Sequence, residues 1–139
     1  MFAKILHAND GSEHAFNALT VAIALAKQNG SELHMISVEE IDYMPEFLEE
    51  VREEVKTAGR RFYAVQHRAR ALAERSGVNL QTHVVAGHPV RDIVLFAEKL
   101  GAELLVIGAT GHSAIYERMI GSRADRIIQI ATCPVLVVK

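Results

Sequence analysis

Apolar residues gather in five short runs along the chain: Ala3 to Ala8, Glu32 to Val38, Asn79 to Val85, Glu103 to Ile107 and Val135 to Val138. Gly, Asn, Asp or Pro bounds them, and the last two are nearly continuous in Leu, Val and Ile. Unbroken apolar character is what a strand covered on both faces requires, so the runs read as strands of a buried sheet. Between them the period changes to that of a helix. Phe16, Leu19, Ile23 and Ala26 share one face between Ser12 and Asn29, and Asn29-Gly30 supplies the stop. A similar stripe of Val51, Val55, Phe62, Val65, Ala69 and Leu72 runs from about Pro45 to Ser76, with Gly59 as its weak point. Val90, Ile93, Val94, Ala97 and Leu100 mark a third helix ending at Gly101. Ile127, Ile128 and Ala131 mark a short fourth that Pro134 closes.

Strand and helix alternate from end to end, which predicts an α/β fold: one open parallel five-stranded sheet with helices on both faces. No linker, low-complexity segment or internal repeat interrupts the pattern, so residues 1–139 read as one domain. Half the residues are hydrophobic and 23% are charged, which is too apolar for a disordered chain. Fifteen Lys and Arg against seventeen Asp and Glu leave a net charge of −2, so no strong field favours nucleic acid or an anionic membrane. The longest apolar stretches, Val21 to Ala26 and Leu104 to Ile107, are far short of the ~20 residues that a membrane helix needs. The opening residues lack a signal peptide's apolar core, and the lone Cys133 supplies neither a disulfide nor a cysteine-rich zinc site. A cytoplasmic protein is expected.

In an open parallel sheet, ligands bind beyond the carboxyl ends of the strands, where the winding reverses. The junctions to question are Asn9-Asp10-Gly11-Ser12, Glu39-Glu40, Ala86-Gly87-His88-Pro89 and Gly108-Ala109-Thr110-Gly111. The last is the most informative, because nine residues after Gly111 the pair Gly121-Ser122 opens the final helix. Glycine permits positive φ and lets main-chain N–H groups approach a ligand. A helix N-terminus adds unpaired N–H donors and the positive end of the macrodipole, so the two elements would hold phosphate oxygens from two sides. The plainer reading makes Gly108 and Gly111 a turn and Ser122 a cap paired with Asp125. Spacing alone leaves both readings open. The loop has no lysine after its glycine pair, which excludes a Walker A loop, and Asp10-Gly11-Ser12 lacks the three-glycine dinucleotide fingerprint. The third strand ends without an aspartate, unlike a phosphate-accepting receiver domain.

The combination resembles the universal stress protein family, and within it the nucleotide-binding branch. Gly108 through Gly121-Ser122 fits that family's G-x2-G-x9-G-[S/T] hallmark, followed by a short helix and the proline-led strand Cys133-Pro134-Val135-Leu136-Val137-Val138. Lys4-Ile5-Leu6 leading to Asp10-Gly11-Ser12-Glu13 resembles the family's opening, and Gly87-His88-Pro89 is a weaker match. The resemblance implies a Rossmann-like sheet of order 3-2-1-4-5 and a bound ATP, with room for Mg²⁺ beside the triphosphate. By the same resemblance Asp10 would meet the ribose or adenine, and the backbone at Val38 the adenine edge. Ile107 and Gly108 would underlie sugar and phosphates, with Gly111, Gly121, Ser122 and Arg123 around the triphosphate. His112 would lie near the terminal phosphate, so that binding strengthens as its imidazole protonates. His7-Ala8-Asn9 departs from the Val-Pro pair often found before the aspartate, at positions that line the base pocket. Family members usually form homodimers through the last strand. Val135 to Val138 suits that role, since an apolar edge strand must be paired or covered; cover by part of residues 41–59 is the alternative.

Other residues have plainer roles. Asp10-x-x-Glu13 has capping-box spacing, a role compatible with ligand contact at the same corner. The seven histidines show no H-x3-H pair, so a protein metal site is not expected. Arg61, Arg68 and Arg75 recur every seven residues as a solvated helix face, without the aromatic ladder of a nucleic-acid binder. The leading function is therefore an ATP-binding stress protein with at most slow hydrolysis and no catalytic residues. The alternatives are an adenine-nucleotide hydrolase using Ser113 or His112, and a dimeric interaction protein without nucleotide.

Overall fold

The computed structural model describes residues 1–41, 60–110 and 119–139. In chain order they form β1 (Lys4–Ala8), α1 (Glu13–Asn29), β2 (Glu32–Glu40), α2 (Tyr63–Arg75), β3 (Leu80–Gly87), α3 (Pro89–Leu100), β4 (Leu104–Gly108), α4 (Ser122–Ile130) and β5 (Val135–Val138). Every pairing is parallel, and the sheet order is β3-β2-β1-β4-β5, as expected. The apolar runs became strands because both sheet faces are covered. Ile5 and Leu6 are neighbours on β1, yet each is fully buried, since successive side chains point to opposite faces. Ile5 joins Leu33, Met35, Leu104 and Val106 under α1 and α2, while Leu6 joins Ile36, Leu105 and Ile107 under α3 and α4.

Two strands run further than their apolar runs. β2 continues to Glu40 and β3 to Gly87, in the register Glu39↔Ala86 and Glu40↔Gly87. Ladder hydrogen bonds ignore side-chain polarity, so charge at Glu39 and Glu40 ends the hydrophobic signal without ending the strand. Arg61 pairs with the buried Glu39 and neutralises it there. The predicted second helix is described from residue 60 onward, and Val51, Val55 and Gly59 lie outside the described residues. Within α2, Ala69 and Ala73 are buried, as is Phe62 just before it, while Val65 and Leu72 pack against the same core. No described helix is long and apolar enough to cross a membrane.

The helix stops are where the glycines placed them. Gly30 closes α1 at φ 62° and Gly101 closes α3 at φ 73°, both left-handed. A Cβ at Gly30 would meet nothing within 4 Å, so a side chain there is opposed by the backbone conformation alone. Gly30→Ala is therefore expected to destabilise the fold by about 1 kcal/mol. Urea unfolding checks this, and an unchanged midpoint would mean that the left-handed cap is not retained in solution.

Candidate functional site

The corner after β1 is built by side chains folding back on their own backbone. Asn9 N–H still bonds Ile36 O at 2.9 Å, continuing the ladder one residue past the strand. Asn9 Oδ1 then accepts from Gly11 N at 2.8 Å, and Asp10 Oδ1 from Ser12 N at 3.0 Å. Gly11 turns the chain at φ 89°. The cap of α1 is Ser12, whose Oγ accepts from Ala15 N at 3.2 Å. This corrects the capping-box reading of Asp10: the turn through Gly11 puts the helix start two residues later. Asp10 is left exposed at the strand end.

Gly108 and Gly121 serve a different purpose from positive φ. A Cβ on Gly108 would sit 3.1 Å from His14 O and 3.3 Å from His14 C, because the first turn of α1 packs directly against the strand end. Gly121 has φ −65°; its N–H donates to Ala109 O at 2.7 Å, and a Cβ there would lie 3.2 Å from that same oxygen. Both positions permit close approach of backbone to backbone. Gly121 is also the N-cap of α4, with no side-chain capping bond. The alternative of a Ser122 cap is thereby corrected: Ser122 is the first helical residue, and Asp125 Oδ2 accepts instead from Gln129 Nε2 at 2.9 Å. The first-turn N–H groups of α4 have no intrahelical partner by geometry, and Gly121 offers no side chain to cap them.

A cleft of ≈ 440 Å³ opens between these two corners. Asp10, Val38, Ile107, Gly108, Gly121, Ser122 and Arg123 all line it, while Gly111 and His112 lie outside the described residues. Apolar lining also comes from Ile36, Ile93 and Ile127, which sequence reasoning had assigned only to strand and helix faces. Their signal was position, since Ile93 and Ile127 lie in the second turns of helices that start above the strand ends. Arg123 is not a free cation: its Nη2 donates to Glu40 Oε2 at 2.6 Å. Among the described residues no group of three or more His, Cys, Asp or Glu is arranged to hold a metal ion.

Behind the cleft, His7 is fully buried, and its Nδ1–H donates to Val106 O at 2.9 Å. Burial pushes its pKa down to about 4, against the weaker upward pull of the Val106 carbonyl and the Asp10 charge. Its Nε2, Asn9 Nδ2 and Ser37 Oγ are buried without a hydrogen-bond partner among the described residues. A pair of imidazoles lies further along the sheet. His34 contacts His83 at 3.0 Å and Glu32 Oε1 at 2.8 Å, and burial followed by the neighbouring His34 lowers the His83 pKa.

An open parallel sheet with its cleft at the β1–β4 boundary defines the Rossmann-like α/β class. The profile described as the universal stress protein family matches residues 1–139, and the chain belongs to that family. Universal stress protein YxiE of Bacillus subtilis (strain 168) is 36% identical over 151 aligned residues that span the whole of both chains. Universal stress protein UspA from Lactobacillus plantarum has a solved structure with 25% identity and a TM-score of 0.86, covering 99% of this chain and 98% of its own. A universal stress protein solved in complex with cAMP shares the fold, with 24% identity, a TM-score of 0.77 and coverage of 99% of this chain and 97% of its own.

The His7 environment sets a pH dependence. In the unfolded chain the imidazole takes up its proton near pH 6.5, and in the folded chain only near pH 4. Between those values the unfolded state holds more protons, so stability is complete above the upper value and declines as pH falls toward the lower one. The decline from this group is at most about 3 kcal/mol. Denaturant unfolding from pH 7 to pH 4 should show a shallower loss for His7→Val than for the wild type. Parallel curves would show that His7 does not titrate in this way.

Proposed function

We propose that this chain is an ATP-binding universal stress protein, acting in the cytoplasm as a single nucleotide-responsive regulatory domain with at most slow hydrolysis. The observation that carries the reading is the convergence of Asp10, Val38, Ile107, Gly108, Gly121, Ser122 and Arg123 on one cleft of ≈ 440 Å³. That volume lies within the ordinary range for small-molecule sites. Its division of chemistry suits an adenine nucleotide. Ile36, Val38 and Ile107 supply apolar walls for the base, and the Asp10 carboxylate stands where a ribose would offer hydroxyl donors. The uncapped first turn of α4, with the Ser122 hydroxyl, supplies N–H and O–H donors for phosphate oxygens at the positive end of a helix dipole. Gly111 would complete the triphosphate end, as the family resemblance implies, with His112 near the terminal phosphate because it directly follows Gly111. Mg²⁺ brought in with ATP would draw mainly on phosphate oxygens and water.

Among the described residues the phosphate end offers main-chain donors, the Ser122 hydroxyl and the Arg123 guanidinium, a set that favours binding over rapid group transfer. Turnover of ATP below about 1 s⁻¹ is expected, at or under the low end of ordinary enzymes. The primary test is titration calorimetry with ATP, alongside mass spectrometry of any molecule retained on purification. Ser122→Asp separates fold from binding. A carboxylate in the first turn of α4 favours the helix dipole but repels phosphate, so the melting temperature should be kept while ATP affinity falls about tenfold or more. Ser122→Ala should cost less, about one charge-assisted hydrogen bond, or roughly 1.5–3 kcal/mol at most. Equal affinity of wild type and Ser122→Asp for ATP would place the phosphates elsewhere.

The reading includes a homodimer through β5. That strand pairs with β4 alone among the described residues, and its four apolar side chains are only half-buried. Pairing with its own copy about a two-fold axis would satisfy the open edge. Multi-angle light scattering should give twice the 15.3 kDa chain mass at micromolar concentration. A concentration-independent monomer would reject it.

A further inference from the structure

Arg123 lines the cleft, and Glu40, outside the lining itself, ends a strand that contributes to it. Glu40 is the last residue of β2, the strand that contributes Ile36 and Val38 to the lining, while Arg123 stands in the first turn of α4 beside Ser122. The 2.6 Å contact between Arg123 Nη2 and Glu40 Oε2 therefore reaches across the mouth from the apolar wall to the helix start. Asp10 and Arg123 are the charged side chains among the described lining residues, so the pair engages the only cation there. About half of each side chain is exposed, 52% for Arg123 and 46% for Glu40, and an ion pair so open to water is weak and readily exchanged.

We infer that Glu40 is a specificity-determining residue for the cleft, tempering its response to ligand charge by holding Arg123. The inference rests on the proposal that phosphates seat at the first turn of α4. A phosphate arriving there competes with the Glu40 carboxylate for one guanidinium, and after exchange it has that carboxylate as a near neighbour of like charge. The pair is neutral as a unit, so the resting cleft mouth offers little net attraction to an anion. Removing the Glu40 charge leaves a net +1 there, and removing the Arg123 charge leaves a net −1. Each change acts on a ligand in proportion to the ligand's own charge, and on an uncharged nucleoside hardly at all. Glu40 thus lowers the premium that the cleft places on each added phosphate, narrowing the difference between mono- and triphosphate.

The test is titration of wild type, Glu40→Gln, Arg123→Gln and the double variant with adenosine, AMP, ADP and ATP without divalent cation, at low and high salt. Glu40→Gln should tighten ATP roughly three- to tenfold at low salt, AMP less, and adenosine not at all, with the gain shrinking at high salt. Arg123→Gln should reverse the order, weakening ATP most. The double variant, again neutral, should return toward the wild-type charge series. A structural effect on the cleft would move adenosine as much as ATP. Equal shifts across the series, or none, would overturn the role of Glu40 while wild-type ATP binding left the proposed function standing. Binding of the whole series by wild type with no response to Ser122→Asp would overturn both, as would no binding to folded wild type.

Discussion

Adjacent parallel strands whose following helices depart to opposite faces cannot both cover the space beyond their ends, and the site depends on that constraint. β1 and β4 pair through Ile5↔Leu104, Leu6↔Leu105 and His7↔Val106. The helix after β1 packs on the face of Ile5 and Val106, whereas α4, downstream of β4, packs on the face of Leu6 and Ile107. The divergence leaves a crevice at the carboxyl ends, which is where the cleft lies. Opposite alternation of buried side chains on the central strands is the cause, and the cleft is its geometric result.

Glycine narrows that crevice to a shape. At Gly108 the strand end touches the backbone of His14, and at Gly121 the helix start touches Ala109 O. These contacts draw the first turns of α1 and α4 toward β4, one from each face. The same absence of side chains leaves the backbone at these positions open to approach. Packing and ligand approach make the same demand here, so a glycine pattern alone does not separate them.

Electrostatics then differentiates the ends of the cleft. The ≈ 440 Å³ space has apolar walls from Ile36, Val38 and Ile107, and among the described lining residues charge is carried by Asp10 at one corner and Arg123 at another. Asp10 is placed by a turn whose bonds are local, and Arg123 by an ion pair to a residue 83 positions away. Behind them His7 stays neutral because burial outweighs every nearby attraction for its proton. The interior at this point therefore carries polar atoms without partners among the described residues, on His7 and Ser37 and on Asn9, which itself lines the cleft.

Strand and helix identity, the parallel class and the position of the corners that line the cleft were legible in the chain because they follow from local periodicity and from glycine at the stops. Seven of the nine residues put forward for binding line one cleft, and the other two lie outside the described residues. What periodicity could not convey was anything set by contact at a distance. The strand extensions to Glu40 and Gly87 come from ladder bonds that carry no hydrophobic signal. Ser12 rather than Asp10 caps α1 because Gly11 turns the chain between them. The Glu40–Arg123 pair exists only because β2 and α4, far apart in sequence, meet across the sheet's switch point. Side-chain pattern determines which segments are buried; which charges then meet is decided by packing, since that depends on the path of the whole chain.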